Sequence, residues 1–438
     1  MPKRLYREIA PLGEGLAPTK LLEHDLDGVF LAQLAQVRRR RQLALDRRYR
    51  SRRRDIDAVL GGFEWKLTRT VAEPAERVSA IAWNIERGKR FEPLLHNLLH
   101  DPALARADLM LLTEVDKGMA RSGNRDIAAE LAEATGMDYV FVNHHLVLAR
   151  GDRGEQDHTG DNTFAMHGSA LLSRFPIRRF TSVGLPEYVD KFHDYEKRLG
   201  CKRALIAEVL LPDGPLTIAV AHLDPFAPPR HRVYQMQRII DTLLRFGGKR
   251  VLLGGDLNTN TYDVSKGPNL LAGILYKASR LGVTGAIEHY LEPERRFERS
   301  LFDLMREVGF ELDPFNVPRA GTLFYDAHDP EIVSKARAYL PAAVVVRLQK
   351  MVEPWGGVVP MHLDWWAGHG LTAEAPEVII RPTWHSKYIS DHYPIAVDLV
   401  LGQAAGAGLR PQQRRRLRLR LPTPRGARSH AEEVDEQA

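Results

Sequence analysis

The 438-residue chain has a single cysteine, Cys201, so no disulfide can form within it. That fits a reducing compartment, and a cytoplasmic location is the expectation. No apolar run approaches the roughly 18 residues that a membrane-spanning helix needs. The opening stretch MPKRLYREIAPLG lacks the apolar core of a secretory leader, so none is expected. No Cys/His cluster has zinc spacing, which argues against a zinc site. No internal repeat is visible, and nothing in the composition fixes an oligomeric state.

What is present is uneven. The formal net charge of +6 comes from the flanks. Ten arginines lie between Val37 and Arg54 against one aspartate, and eight lie between Gln403 and Ala438 against four acids. The remaining body is mildly acidic. A basic stripe can bind nucleic acid or anionic lipid. It is also the ordinary composition of a solvated helix or a disordered arm.

Residues 1–70 read as a basic, helical N-terminal extension, because Leu, Phe and Val recur at helical spacing before the arginine run. Residues 76–401 read as one large α/β domain in which strand-like and helix-like segments interleave. Strands are expected at 78–85, 108–115, 139–143, 168–173, 204–211, 216–222, 250–254, 362–367 and 394–400. Helices are expected at 91–99, at 127–135 closed by Gly136, and at 232–246. PDGP between 211 and 216 signals a hairpin. Residues 259–361 form a long, more helical, insertion-like segment. The Ala/Gly- and Arg-rich tail, 402–438, lacks apolar variety and is expected to be disordered.

Polar, chemically competent residues recur where the apolar strands stop. Asn84 ends VSAIAWNI, Glu114 ends DLMLLTEV, and His222 ends TIAVAH, followed by Asp224. Asp256 and Asn258 end VLLGGDLN, Asp364 sits in MHLDWWAG, and Ser390, Asp391 and His392 precede PIAVDLV. GGDLN taken alone is good turn chemistry, since Gly, Asp and Asn tolerate positive φ. Six strand edges each delivering Asn, Glu, His or Asp make a pattern, because strand ends are rigid mounts for a site. Glu114 and Asn84 offer hard oxygen ligands suited to Mg²⁺ or Mn²⁺. His392 and Asp364 can pair as an imidazole oriented by a carboxylate. Asp256 beside Asn258 can hold a water. Together these suit hydrolysis of a phosphate ester.

The words WNIERG (83–88), LLTEVD (111–116), GSALLSRFPI (168–177), AHLD (221–224), GGDLN (254–258), LDWW (363–366) and SDHYPI (390–395) occur in order. In this the chain resembles the endonuclease/exonuclease/phosphatase superfamily, the DNase I-like group, and within it bacterial members of uncertain substrate. The resemblance implies a four-layer α/β sandwich of two packed mixed sheets flanked by helices. It implies Glu114 as the main Mg²⁺ ligand with Asn84 beside it and Asp391 near the metal. Asp256 and Asn258 would position the nucleophile, His392 with Asp364 would be the catalytic histidine pair, and His222 would bind the scissile phosphate.

Other residues carry weaker signals. His144 and His145 match no motif word. Arg203 is a candidate phosphate contact. Cys201 has no evident histidine partner, which speaks against a nucleophile. One of Trp365 and Trp366 is expected in the core and the other beside the site. The expected function is a metal-dependent phosphodiesterase, with a nuclease on DNA or RNA the leading reading. The alternatives are a phosphatase or lipid phosphodiesterase of the inositol phosphate or sphingomyelin type, and a non-catalytic module that binds nucleic acid or membrane.

Overall fold

The computed structural model describes residues 17–152, 155, 160–337, 340–380, 383–384, 387–402 and 408–411. Two mixed β-sheets dominate. The larger has nine strands, and its path runs Thr19–Lys20, Phe63–Lys66, Asp138–Val147, Met166–Ser173, Leu109–Lys117, Arg77–Arg87, Ile395–Val400, Thr372–Val378. Its ninth strand, Arg198–Gly200, pairs with Asp138–Val147 off that path. The smaller sheet has five strands in the order Asp364–His369, Val251–Asp256, Gly214–His222, Arg203–Leu211, Ile177–Gly184.

The sheets pack face to face because successive side chains of each strand point to opposite faces. In Arg77–Arg87, Ala80 and Ala82 face the second sheet and meet Leu205, Ile218, Leu252 and Trp366. Their neighbours Ile81, Trp83 and Ile85 face outward, against the helices Phe91–His100 and Ile127–Thr135. On the far side, Ala219, Leu253 and Trp365 pack under the helices Pro229–Phe246 and Arg299–Glu307. Helix, sheet, sheet, helix make the expected four layers. Strands covered on both faces also explain why runs such as VSAIAWNI are apolar without alternation.

The N-terminal extension is helical as expected, with helices Gly28–Ala35, Arg40–Leu45, Arg47–Ser51 and Arg53–Val59. It is also knitted into the sheet. Strand Phe63–Lys66 pairs with Asp138–Val147, and the buried Glu64 accepts from Tyr139 Oη at 2.8 Å and Lys117 Nζ at 2.5 Å. Leu31, Leu34 and Ile56 are buried in the outer core.

Within 259–361, helix Gly267–Tyr290 is interrupted at Gly282, where φ is +70°. Helices Arg299–Glu307, Pro330–Arg337 and Ala342–Val352 follow, with a hairpin of Leu323–Asp326 and Val358–Met361. The segment is therefore not all insertion, since Leu301, Phe302 and Met305 belong to the core. The tail expected to be disordered falls outside the described residues, apart from Gly402 and 408–411. Among the described residues no helix is long and apolar enough to cross a membrane.

The topology gathers the motif words. Arg77–Arg87 runs parallel to Leu109–Lys117, and Gly214–His222 runs parallel to Val251–Asp256, so each pair ends at one edge. Asp364–His369 is antiparallel to Val251–Asp256, with Asp364 opposite Asp256. Ile395–Val400 is antiparallel to Arg77–Arg87, with Ile395 opposite Ala82, which brings the preceding Ser390–His392 to Asn84.

Candidate active site

Irregular pairing aims the first residues. The parallel pair of Arg77–Arg87 and Leu109–Lys117 loses register between Asn84 and Arg87, and Leu109–Lys117 slips against Met166–Ser173 between Thr113 and Val115. Such bulges redirect side chains. Glu86, Arg87 and Glu114 there adopt φ of +46°, +68° and +54°, values that non-glycine residues rarely take. Asn258, at the end of GGDLN, has φ of +49°. Strained backbone of this kind concentrates where a side chain must be presented.

The side chains form one connected cluster. Asn84 Nδ2 donates to Asp256 Oδ2 at 3.2 Å, and Asn258 Nδ2 donates to the same oxygen at 3.0 Å. The backbone N–H of Asn258 donates to Asp256 Oδ1 at 2.8 Å. His392 Nδ1 lies 2.7 Å from Asp364 Oδ2, while its Nε2 lies 3.9 Å from Asp256 Oδ2. His222 Nε2 is 3.4 Å from that same Asp256 oxygen. Trp83 Nε1 donates to the His392 carbonyl at 2.9 Å, and Ser390 Oγ donates to the Asn84 carbonyl at 2.6 Å. The bonds of Asn84 to Asp256 and of His392 to Asp364 tie the two sheets together at the site.

Charge and burial set the protonation states. Burial pushes Asp256 up to about 7; His392 pulls it down and Asp364 pushes it further up. Burial disfavours charged His392, yet the carboxylates of Asp364 and Asp256 hold it well above its ordinary range. Burial, then the positive Lys202, keeps His222 well below its ordinary value. Burial works against ionised Glu114, but Arg87, His222 and His167 hold it well below the usual carboxylate range. Arg87 Nε lies 3.7 Å from Glu114 Oε2.

Glu114 is 23% exposed and Asp391 is exposed, whereas Asn84, Asp256, Asp364 and His392 are buried. Asp391 and Glu86 repel, which together with burial raises Glu86. The structure thus brings Asn84, Asp256, Asn258, His222, Asp364 and His392 together. It sets Glu114 one residue beyond Thr113, the neighbour of Asn84 across the parallel pair, and leaves Asp391 at the rim.

Two sets of donors fit a divalent cation. Asp256, Asp364 and His392 offer ligand atoms that all lie within 4.8 Å of one another. The His392–Asp364 bond already engages two of these residues, although Asp364 Oδ1 is buried without a hydrogen-bond partner. The Glu114 carboxylate and the Asn84 carboxamide are hard oxygen donors at the partly open edge, chemistry that suits Mg²⁺ or Mn²⁺.

Three contributors were not visible in the sequence. Lys202 Nζ lies 2.5 Å from His222 Nε2, and burial brings this lysine down to about 8. Thr322 donates to Asp364 Oδ2 at 2.7 Å and accepts from the backbone N–H of Leu363 and Asp364, each at 3.0 Å. Arg87 ties Glu114 to Asp152 and Glu155. Arg203, the sequence candidate beside Lys202, instead donates its Nε to Ser182 Oγ at 2.9 Å, inside the protein. Lys202 lies in the short connection between strands Arg198–Gly200 and Arg203–Leu211, whereas Arg203 opens the second strand.

Both tryptophans are buried, and Trp365 Nε1 donates to Thr259 Oγ1 at 3.0 Å, next to Asn258. Trp366 packs between the sheets, and Trp365 packs on Phe302 and stacks on His362 with centroids 3.6 Å apart. Burial raises the Cys201 thiol to about 11, which suits no nucleophile. His144 and His145 are buried and make no link to the cluster by hydrogen bond or ion pair among the described residues.

Fold and site together define a class, a four-layer α/β sandwich with an acid–amide–imidazole cluster at one end of its sheets. The sequence model of the Endonuclease/Exonuclease/phosphatase family matches residues 81–299, half of the chain, and the chain belongs to that family. Its members act on phosphoester bonds. No curated protein sequence matches the chain. Among solved structures, it is similar to a functionally unknown conserved protein from Enterococcus faecalis V583, with 12% identity and a TM-score of 0.40, covering 74% of this chain and all of that one. It is similar to an endonuclease/exonuclease/phosphatase family protein from Leptotrichia buccalis, with 13% identity and a TM-score of 0.38 over 74% and 99% of the two chains. It is also similar to the human Nocturnin catalytic domain with bound sulfate, with 15% identity and a TM-score of 0.39 over 75% and 95%.

Proposed function

We propose that the chain is a divalent-metal-dependent phosphodiesterase. The observation that carries this reading is the buried, hydrogen-bonded union of Asn84, Asp256, Asn258, His222, Asp364 and His392 from both sheets. Glu114, Asn84 and Asp391 would hold Mg²⁺ or Mn²⁺. Once bound, the ion neutralises charge on the phosphoryl oxygens. Asp256, bracketed by the amides of Asn84 and Asn258, orients the attacking water. His392, kept protonated by Asp364, faces the reacting phosphate and steadies its developing negative charge. His222 and Lys202 present a further polar and positive surface to the phosphate.

Two substrate classes are in view. Nucleic acid is supported by the exposed arginines of the N-terminal helices. A smaller, lipid-type phosphodiester is supported by an apolar cavity close in the chain to the site. The intact set of site residues speaks against a non-catalytic module.

The test is a Mg²⁺-dependent panel on wild type and His392→Ala. It spans single- and double-stranded DNA, RNA, an inositol polyphosphate, sphingomyelin and bis-p-nitrophenyl phosphate. Cleavage that disappears in the variant, with cooperative melting retained, supports the reading. Equal turnover in the variant overturns it.

A further inference from the structure

Residues 262–361 line a partly open cavity of about 260 Å³. Its walls come from helix Gly267–Tyr290, on both sides of the interruption at Gly282, from helices Pro330–Arg337 and Ala342–Val352, and from strand Val358–Met361. The lining is aliphatic, with Ile274, Ile287, Val345, Leu348, Val352 and Val359 prominent. Its polar groups are already engaged. The Tyr262 and Tyr290 hydroxyls hydrogen-bond each other, and Gln349 Nε2 donates to the Ala327 carbonyl at 2.7 Å. Such a space selects hydrocarbon and rejects polar ligands.

The cavity is tethered to the site at two points. Tyr262 lines it and follows Asn258 by four residues, so their Cα atoms lie within roughly 14 Å even at full extension. Met361 lines it and precedes Asp364 by three residues, within roughly 11 Å. The His362 N–H also donates to the Tyr290 carbonyl at 3.0 Å, joining the cavity wall to the strand that carries Asp364. An apolar cavity of ~150 Å³ takes a benzene molecule, so the space here suits on the order of ten carbons. That is one alkyl chain, too little for two.

We infer that this cavity seats the single apolar chain, about ten carbons deep, of an amphipathic phosphodiester whose phosphate is hydrolysed at the Asp256–His392 cluster. The inference rests on the phosphodiesterase reading and selects within it a lipid-type substrate over nucleic acid.

The experiment compares methyl, butyl and octyl p-nitrophenyl phosphate as substrates with Mg²⁺. In wild type, kcat/KM should rise roughly two- to fourfold per added methylene, the gain expected from burying each one. Ala286→Leu and Ala336→Leu, two independent cavity-filling changes, should keep methyl-ester turnover and flatten that rise. Equal kcat/KM for methyl and octyl esters in wild type, or a rise that survives in every variant that folds, overturns the inference. Absence of methyl-ester turnover counts against the catalytic reading instead. Calorimetric binding of octyl methyl phosphate then reads the cavity directly. Binding abolished in the filled variants supports it, and no binding to wild type overturns it.

Discussion

A few residues of the candidate cluster have fixed partners. Asp364 gives Oδ2 to both His392 Nδ1 and Thr322 Oγ1, each at 2.7 Å. Asp364→Asn keeps the shape and removes the charge that keeps His392 protonated and oriented. Turnover should fall by about 10²–10⁴, the usual scale for a positioned acid–base pair. Thr322→Val should cost less and shift the pH profile, because it leaves the carboxylate in place and removes one donor to it. A pH–rate profile of each variant beside its melting curve checks this, and an unchanged rate in Asp364→Asn removes the histidine from the chemistry. Much of this site is legible in the sequence, because residues such as Asn84, Glu114, Asp256 and His392 are chemically distinctive and end apolar strands. Thr322 is not legible. Its role arises where a segment 42 residues from Asp364 returns to it, with the Tyr393 N–H donating to the Thr322 carbonyl at 2.7 Å. Lys202 is hidden for a different reason, since it sits in the two-residue connection between strands Arg198–Gly200 and Arg203–Leu211, and only the fold brings that connection to His222.

At the scale of elements, the central strands are readable because both faces are buried and the runs are apolar. Among the strands that escaped notice are Phe63–Lys66, Ile177–Gly184 and Thr372–Val378. They lie at or next to a sheet edge, or carry polar residues such as Arg178, Arg179, Glu374 and Glu377, so their sequence lacks the signature of burial on two sides. GGDLN spans the end of strand Val251–Asp256 and carries the candidate site residues Asp256 and Asn258. A Cβ on Gly254 would come within 2.3 Å of the Trp366 ring, and one on Gly255, at φ +133°, would come within 2.2 Å of the Ala221 carbonyl. Gly255→Ala should therefore destabilise by about 2–4 kcal/mol and displace Asp256, lowering turnover as well. Urea unfolding reads the first effect, and an unmoved midpoint would contradict this packing. Strand Asp138–Val147 makes a second prediction through His145. Burial outweighs the raising influence of Glu187 and brings His145 down to about 4 from an ordinary 6.5. Between those values the unfolded chain takes up a proton that the folded strand refuses, so this residue costs stability as pH falls. Each pH unit inside the window is worth about 1.4 kcal/mol. His145→Asn should lessen the destabilisation between about pH 6.5 and 5 by about 1.5–2 kcal/mol. Identical acid limbs for wild type and variant would mean that the buried imidazole already takes up the proton.

The molecule as a whole joins an acidic body to a basic face. Several arginines of the N-terminal helices are already answered: Arg40 pairs with Asp190 at 2.8 Å, Arg48 with Asp46 at 2.7 Å and Arg53 with Asp57 at 3.5 Å. Arg39, Arg41, Arg47, Arg50 and Arg54 are exposed and make no ion pair among the described residues. The same helices bury Leu43 and Ile56, so removing them would disturb the core as well as the charge. Replacing those five arginines by glutamine isolates the electrostatic contribution. For every phosphate that the variant no longer neutralises, the slope of log K against log salt for duplex DNA should shrink by roughly 0.9, because fewer counterions are released. Turnover of bis-p-nitrophenyl phosphate should not change, since the cluster of Asp256, Asp364 and His392 draws on none of these side chains. A slope that stays the same would show that this face does not hold polyanions. A reduced slope with unchanged small-diester turnover would mean that the chain separates holding a charged surface from cutting the ester, with the arginines doing the first and the strand ends the second.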